Sequence, residues 1–91
     1  MADHGIKVEK ATDEKLKAMG VTTWPVWTKE VSTFDWHYDV SEICLLLEGE
    51  VEVTTQAGSV RFGAGDLVTF PAGLDCTWNV KKPVKKHYRF A

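Results

Sequence analysis

The sequence predicts an all-β fold, a small antiparallel sandwich or barrel with at most one short helix near its start. Three observations carry this. From Trp24 onward the chain is a series of about eight short runs rich in Val, Phe, Trp and Thr. Turn chemistry divides the runs at Asp39-Val40-Ser41, Glu48-Gly49, Gln56-Ala57-Gly58, Gly63-Ala64-Gly65-Asp66, Pro71-Ala72-Gly73 and Lys82-Pro83. No second helical segment interrupts them, and closing or doubling a sheet is how many short strands hide their edges.

The elements follow in order. Residues 1–5 read as a flexible tail, and Ile6 and Val8 alternate as in a short strand. Thr12 or Asp13 can accept a hydrogen bond from the amides ahead of it, and the segment to Met19 runs into Gly20, which suits a helix stop. This allows two turns of helix. Everything after Trp24 is β, so the 91 residues form one domain, 1–91. A chain of this length buries only about 60–65% of its unfolded surface, and ten aromatics, four of them Trp, concentrate apolar area in few side chains.

Charge and composition exclude several classes. Eleven Lys and Arg against thirteen Asp and Glu leave a net charge of −2, without the cationic excess that phosphate neutralisation needs, so no nucleic-acid partner is expected. The basic cluster Lys81, Lys82, Lys85, Lys86 and Arg89 reads as a solvated strand face. No apolar run approaches the roughly 18 residues of a membrane span, and the start lacks a signal-peptide pattern. Two cysteines are too few for a secreted disulfide framework. The expectation is a cytoplasmic protein without a membrane partner, with an organelle stroma after leader removal left open.

Alternation assigns faces. Leu74, Cys76, Trp78 and Val80 share one parity and point inward. In Glu42-Ile43-Cys44-Leu45-Leu46-Leu47 both parities are apolar, so something covers the second face, and a second subunit is the economical cover: a homodimer is expected.

In Phe34-Asp35-Trp36-His37-Tyr38 the period of two puts Asp35 and His37 on one face and the aromatics on the other. If Asp35 and His37 face inward, Glu42 and Cys76 converge with them, and these oxygen, nitrogen and sulfur donors suit Zn²⁺ or Fe²⁺. Each residue also has a plainer role. Asp35 can pair at a strand end, Glu42 can bind turn amides, His37 can be a satisfied interior histidine, and Cys76 can be a small core hydrophobe.

Two stretches resemble the paired motifs of the cupins, small jelly-roll barrels. The first motif, His-x-His, three or four residues, Glu, six residues, Gly, is matched by Asp35-Trp36-His37, four residues to Glu42 and six to Gly49. The second, Gly, five residues, Pro-x-Gly, two residues, His, three residues, Asn, is matched by Gly65, Pro71-Ala72-Gly73, Cys76 and Val80. The phrases Trp-Pro-Val-Trp and Leu-Glu-Gly-Glu-Val-Glu-Val are similar to the small single-domain cupins grouped with ureidoglycine aminohydrolase and ethanolamine-utilisation-type domains. The resemblance implies an antiparallel β-barrel of cupin type. It also implies a divalent metal on Asp35, His37, Glu42 and Cys76, or none, because only His37 and Glu42 keep the family's ligand type.

Three functional readings follow. The first is a small-molecule cavity inside the barrel without assigned chemistry, lined by His37, Glu42, Cys76 and Trp78, with Trp24, Trp27 or Tyr88 as further walls. The alternative is a metal-dependent enzyme, aminohydrolase-like, acting on a small polar metabolite. A Cys44–Cys76 redox pair is the third, and it requires both thiols on one face at bridging distance. No catalytic residue, substrate or ligand is assigned by the chain alone.

Overall fold

The computed structural model describes residues 4–90. Its elements are β1 (Lys7–Lys10), α1 (Asp13–Met19), a 3-10 turn (Val21–Thr23), β2 (Val26–Lys29), β3 (Ser32–His37), β4 (Glu42–Thr55), β5 (Gly58–Gly63), β6 (Asp66–Phe70) and β7 (Asp75–Phe90). Every strand pair is antiparallel. Positions 1–3 of the expected tail lie outside the described residues; His4 is engaged, its Nδ1 accepting the Ile6 N–H at 2.9 Å.

Two long strands organise the fold. β4 and β7 pair along most of their length, from Glu42 opposite Phe90 to Thr54 opposite Thr77. Their first and last halves, with β6, β1 and β2, form one sheet in the order β1-β6-β4-β7-β2; their other halves carry β5 and β3. The bend between the halves lies where the register shifts around Glu48, Gly49 and Glu50. From Trp24 onward the described residues form six strands, β2–β7, where about eight were expected, because Glu48-Gly49 and Lys82-Pro83 bend β4 and β7 rather than end them. Pro83 is tolerated there because it falls in the bulge between the paired Lys82 and Lys85, where no ladder N–H is required. Gly49 has φ +112°, and a Cβ on it would lie 2.7 Å from the Pro83 carbonyl oxygen. The two strands can cross this corner closely only without a side chain.

The two half-sheets face each other across one core. Phe62 of β5 meets Phe70 of β6 at 5.9 Å, Trp27 of β2 meets Phe34 of β3 at 6.3 Å, and Phe34 stacks on Trp78 of β7 at 6.0 Å. This is the jelly-roll arrangement expected from the sequence, left open at the strand edges.

The helix caps as read from the sequence. Thr12 Oγ1 accepts the Lys15 N–H at 3.1 Å, and Gly20 ends the helix with φ +67°. What the helix covers was not foreseen. Val21, Trp24, Leu45 and Leu67 form a second apolar cluster, with Leu16, Met19 and Ile43 packed against it. The outer face of Ile43–Leu45 is thus covered by the chain's own amino-terminal segment, and the reason given for a second subunit there is met within one chain.

Candidate functional site

Parity within β3 decides which side chains can meet. β3 pairs with β7 so that Phe34 lies opposite Trp78 and Trp36 opposite Cys76, while Asp35 lies opposite Thr77 and His37 opposite Asp75. Residues opposite each other share a face. Phe34 packs on the core, and Tyr38, just past the strand, is buried within it. Asp35 and His37 consequently point outward, and the expectation that they line the interior is corrected. Phe34 and Tyr38 outweigh one carboxylate and one imidazole in choosing the buried face, while Trp36, on the same parity, stays 46% exposed; a one-residue slip exchanges the whole set.

On the outer face Asp35 Oδ1 accepts a hydrogen bond from Thr77 Oγ1 at 2.8 Å. His37 lies between two carboxylates, with Nδ1 2.6 Å from Asp75 and Nε2 3.4 Å from Asp39. All of these side chains are exposed or partly exposed. Glu42, Cys76 and Trp78 do face inward, as expected; Glu42 and Trp78 line one cavity, and Cys76 stands outside it. The Cys76 thiol donates to the Trp36 carbonyl at 3.6 Å, and the Trp78 indole N–H donates to the Tyr38 hydroxyl at 3.2 Å. Among the described residues no three His, Cys, Asp or Glu side chains come together as a metal site needs. Cys44 and Cys76 are both free and buried, not a formed redox bridge.

The polar feature of the interior is a different pair. Lys86 Nζ donates to Glu42 Oε2 at 2.6 Å, and the two side chains are only 6% and 5% exposed. The ammonium also lies 4.9 Å over the Trp27 ring and 4.8 Å over the Trp78 ring, so it meets one carboxylate and two π faces. The pair stands at a cavity of about 180 Å³. Phe34, Trp36 and Tyr38 from β3 and the chain just after it wall one side, and Tyr88 and Phe90 from the end of β7 wall another. The solvated basic face expected of Lys81, Lys82, Lys85, Lys86 and Arg89 is corrected at Lys86, which is buried. The sequence carries its signal: beyond the exposed Lys82, the parity of Cys76, Trp78 and Val80 resumes inward at Val84, Lys86 and Tyr88. Trp27 and Tyr88 take the wall positions expected of them, whereas Trp24 belongs to the cluster under the helix.

Burial sets the protonation of the neighbouring groups. Burial, reinforced by the Glu42 carboxylate, holds the Tyr38 phenol well above its ordinary value, so it keeps its proton. Because Tyr38 accepts from Trp78, that proton is available for donation into the cavity. The Cys44 thiol is pushed up to about 12 by burial, with Lys86 pulling the other way. Cys76 is raised to about 11 by burial and then by the Asp75 and Asp35 carboxylates. Both are neutral thiols at physiological pH.

The jelly roll thus has a glycine at its corner and an inward Glu at the start of β4. The EutQ-like cupin domain matches residues 16–88. The chain belongs to that family. As a EutQ-like cupin it is similar over its length to a DUF861 family protein from Thermotoga maritima, at 56% identity, covering 94% of this chain and 99% of that one with a TM-score of 0.92. The EutQ protein of Clostridium difficile shares the fold at 22% identity and a TM-score of 0.66, over 71% of this chain and 52% of that one. A DUF861 family protein of unknown function from Pseudomonas syringae is 25% identical, with a TM-score of 0.65, over 72% of this chain and 29% of that one. A comparison with curated proteins found no match.

The cupin resemblance also explains the misplaced ligand set. Its first motif allows three or four residues before the Glu. Counted with four, the histidine places fall on Asp35 and His37; counted with three, they fall on Trp36 and Tyr38, the pair that lines the cavity. With that count the motif's ligand places in this EutQ-like cupin are Trp36, Tyr38, Glu42 and Cys76. Two are aromatic and the carboxylate is held by Lys86, so they do not fit the divalent metal that the resemblance implies.

Proposed function

We propose that the cavity beside Glu42 and Lys86 binds one compact metabolite, held by hydrogen bonds and ring contacts without a metal. The observation that carries this is a nearly fully buried carboxylate–ammonium pair standing at an aromatic-walled cavity. A buried ion pair adds little to stability compared with apolar side chains of the same volume, so its placement at a cavity argues for a role in binding. The cavity supplies a carboxylate oxygen not engaged by Lys86, an ammonium and the Tyr38 hydroxyl proton, surrounded by rings. That combination suits a flat or unsaturated molecule with one polar end. A cavity of about 150 Å³ already accommodates a benzene ring, so about 180 Å³ admits a monocyclic ligand with a small substituent.

The test uses benzoate, benzylamine and benzyl alcohol as probes, read by thermal shift and by tryptophan fluorescence, since Trp27, Trp36 and Trp78 line the cavity. At least one should bind saturably. Tyr38→Phe, which removes the hydroxyl and keeps the ring, should weaken that binding by about two- to tenfold, the worth of one hydrogen bond. Absence of a saturable response to all three would overturn the reading.

Two further points belong to this proposal. Free Cys44 and Cys76 suit a reducing compartment, and we place the protein in the cytoplasm. A homodimer now has to use apolar side chains that remain exposed, such as Val26, Val31 and Leu47. Sedimentation at micromolar concentration decides between one chain and two.

A further inference from the structure

We propose that Lys86 is a carbonyl-reactive amine, which condenses in this cavity with the aldehyde or ketone group of a compact metabolite to form a protonated imine. The inference rests on the cavity being a binding site and adds a covalent step to it.

Three features of the geometry support it. Lys86 Nζ is withdrawn from water at the edge of an open cavity, unlike the exposed Lys81, Lys82 and Lys85 on the same strand. Its hydrogen-bond partner, Glu42 Oε2 at 2.6 Å, is a carboxylate that can take the proton the amine must lose before it attacks. The Trp27 and Trp78 rings at 4.9 and 4.8 Å stabilise a cation at the nitrogen.

The step balances without a co-reactant. A proton passes from the Lys86 ammonium to Glu42, and the free amine nitrogen attacks the carbonyl carbon. The C–N bond forms as the carbonyl π pair moves to oxygen, and the alkoxide receives a proton from the attacking nitrogen or the Tyr38 hydroxyl. Glu42 returns its proton to the carbinolamine hydroxyl, the C–O bond breaks and water leaves. Where Tyr38 donated, the nitrogen's second proton restores its phenol. Ammonium plus carbonyl compound has become iminium plus water, with one positive charge before and after. Charge conservation is the central point. The iminium lies where the ammonium lay, beside the same carboxylate and between the same two rings, so the cavity stabilises reactant and product cations alike.

The probe is benzaldehyde with sodium cyanoborohydride at neutral pH, followed by intact mass and peptide mapping. The expected result is a single reduced adduct on Lys86, formed in preference to Lys81, Lys82 and Lys85. Lys86→Arg, which keeps the charge, should abolish it; Glu42→Leu/Lys86→Met serves as a second control if arginine does not fit. Benzyl alcohol, which cannot condense, separates the two claims. Saturable binding of benzyl alcohol with labelling only at exposed lysines, or none, overturns the imine and leaves the binding site standing. Neither binding nor a Lys86 adduct overturns both.

Discussion

Replacing Lys86 by methionine tests the energetics of the interior directly. Methionine keeps most of the stem's volume and removes the charge. Glu42, 5% exposed in its side chain, then loses the partner at 2.6 Å. At an effective dielectric near 20, two unit charges at that separation attract by about 6 kcal/mol. Part of this was offset by desolvating the ammonium, and broken buried pairs cost about 3–5 kcal/mol net. A 91-residue domain has about 5–14 kcal/mol in total, so Lys86→Met should lose a large share of it. The buried carboxylate can escape by taking up a proton on folding. The native state then binds one more proton than the unfolded chain. Stability relative to wild type should therefore fall as pH rises, by at most about 1.4 kcal/mol per unit above about pH 4.3, where an unfolded Glu titrates. Glu42→Leu/Lys86→Met removes the orphaned charge and should recover most of the loss with no such slope. Urea unfolding followed by tryptophan fluorescence, from about pH 4.5 to about pH 7.5, measures all three. A Lys86→Met protein as stable as wild type at neutral pH, or one whose deficit does not grow with pH, would refute this account of the pair.

Gly49→Ala places a Cβ 2.7 Å from the Pro83 oxygen and 2.8 Å from Val84 Cα at φ +112°, and should cost about 3 kcal/mol or more by urea unfolding. Gly73→Ala, at φ +84° with open space around it, should cost about 1 kcal/mol, and equal losses would remove the corner contact as the cause. With Cys44 near 12 and Cys76 near 11, less than about one thiol in a thousand is ionised at pH 8, so iodoacetamide should modify neither in the native protein and both after unfolding. As pH rises the thiolate should appear at Cys76 before Cys44; native alkylation at neutral pH contradicts both assignments. Elemental analysis of untagged protein should find no stoichiometric Zn or Fe, with His37→Ala and Cys76→Ser unchanged. Stoichiometric metal that is lost in His37→Ala would restore the four-residue spacing of the motif.

What the sequence by itself determined is local and periodic. Thr12 and Gly20 bound the helix because their side chain and backbone satisfy its free ends in place. The period of two placed Cys76 and Trp78 inward, and the cupin-like glycines marked the turns. Parity, however, states only which residues share a face. Whether Asp35 and His37 or the parity of Phe34 and Tyr38 turns inward depends on pairing with β7, about forty residues away, and on the total apolar area each choice buries. The same holds for Ile43–Leu45, whose cover is a helix contributed from earlier in the chain. It holds above all for Lys86 and Glu42, forty-four positions apart, which neither composition nor spacing pairs. Their meeting follows from β4 and β7 pairing antiparallel, with Glu42 opposite Phe90 and Leu46 opposite Lys86, and only the tertiary structure decides that register.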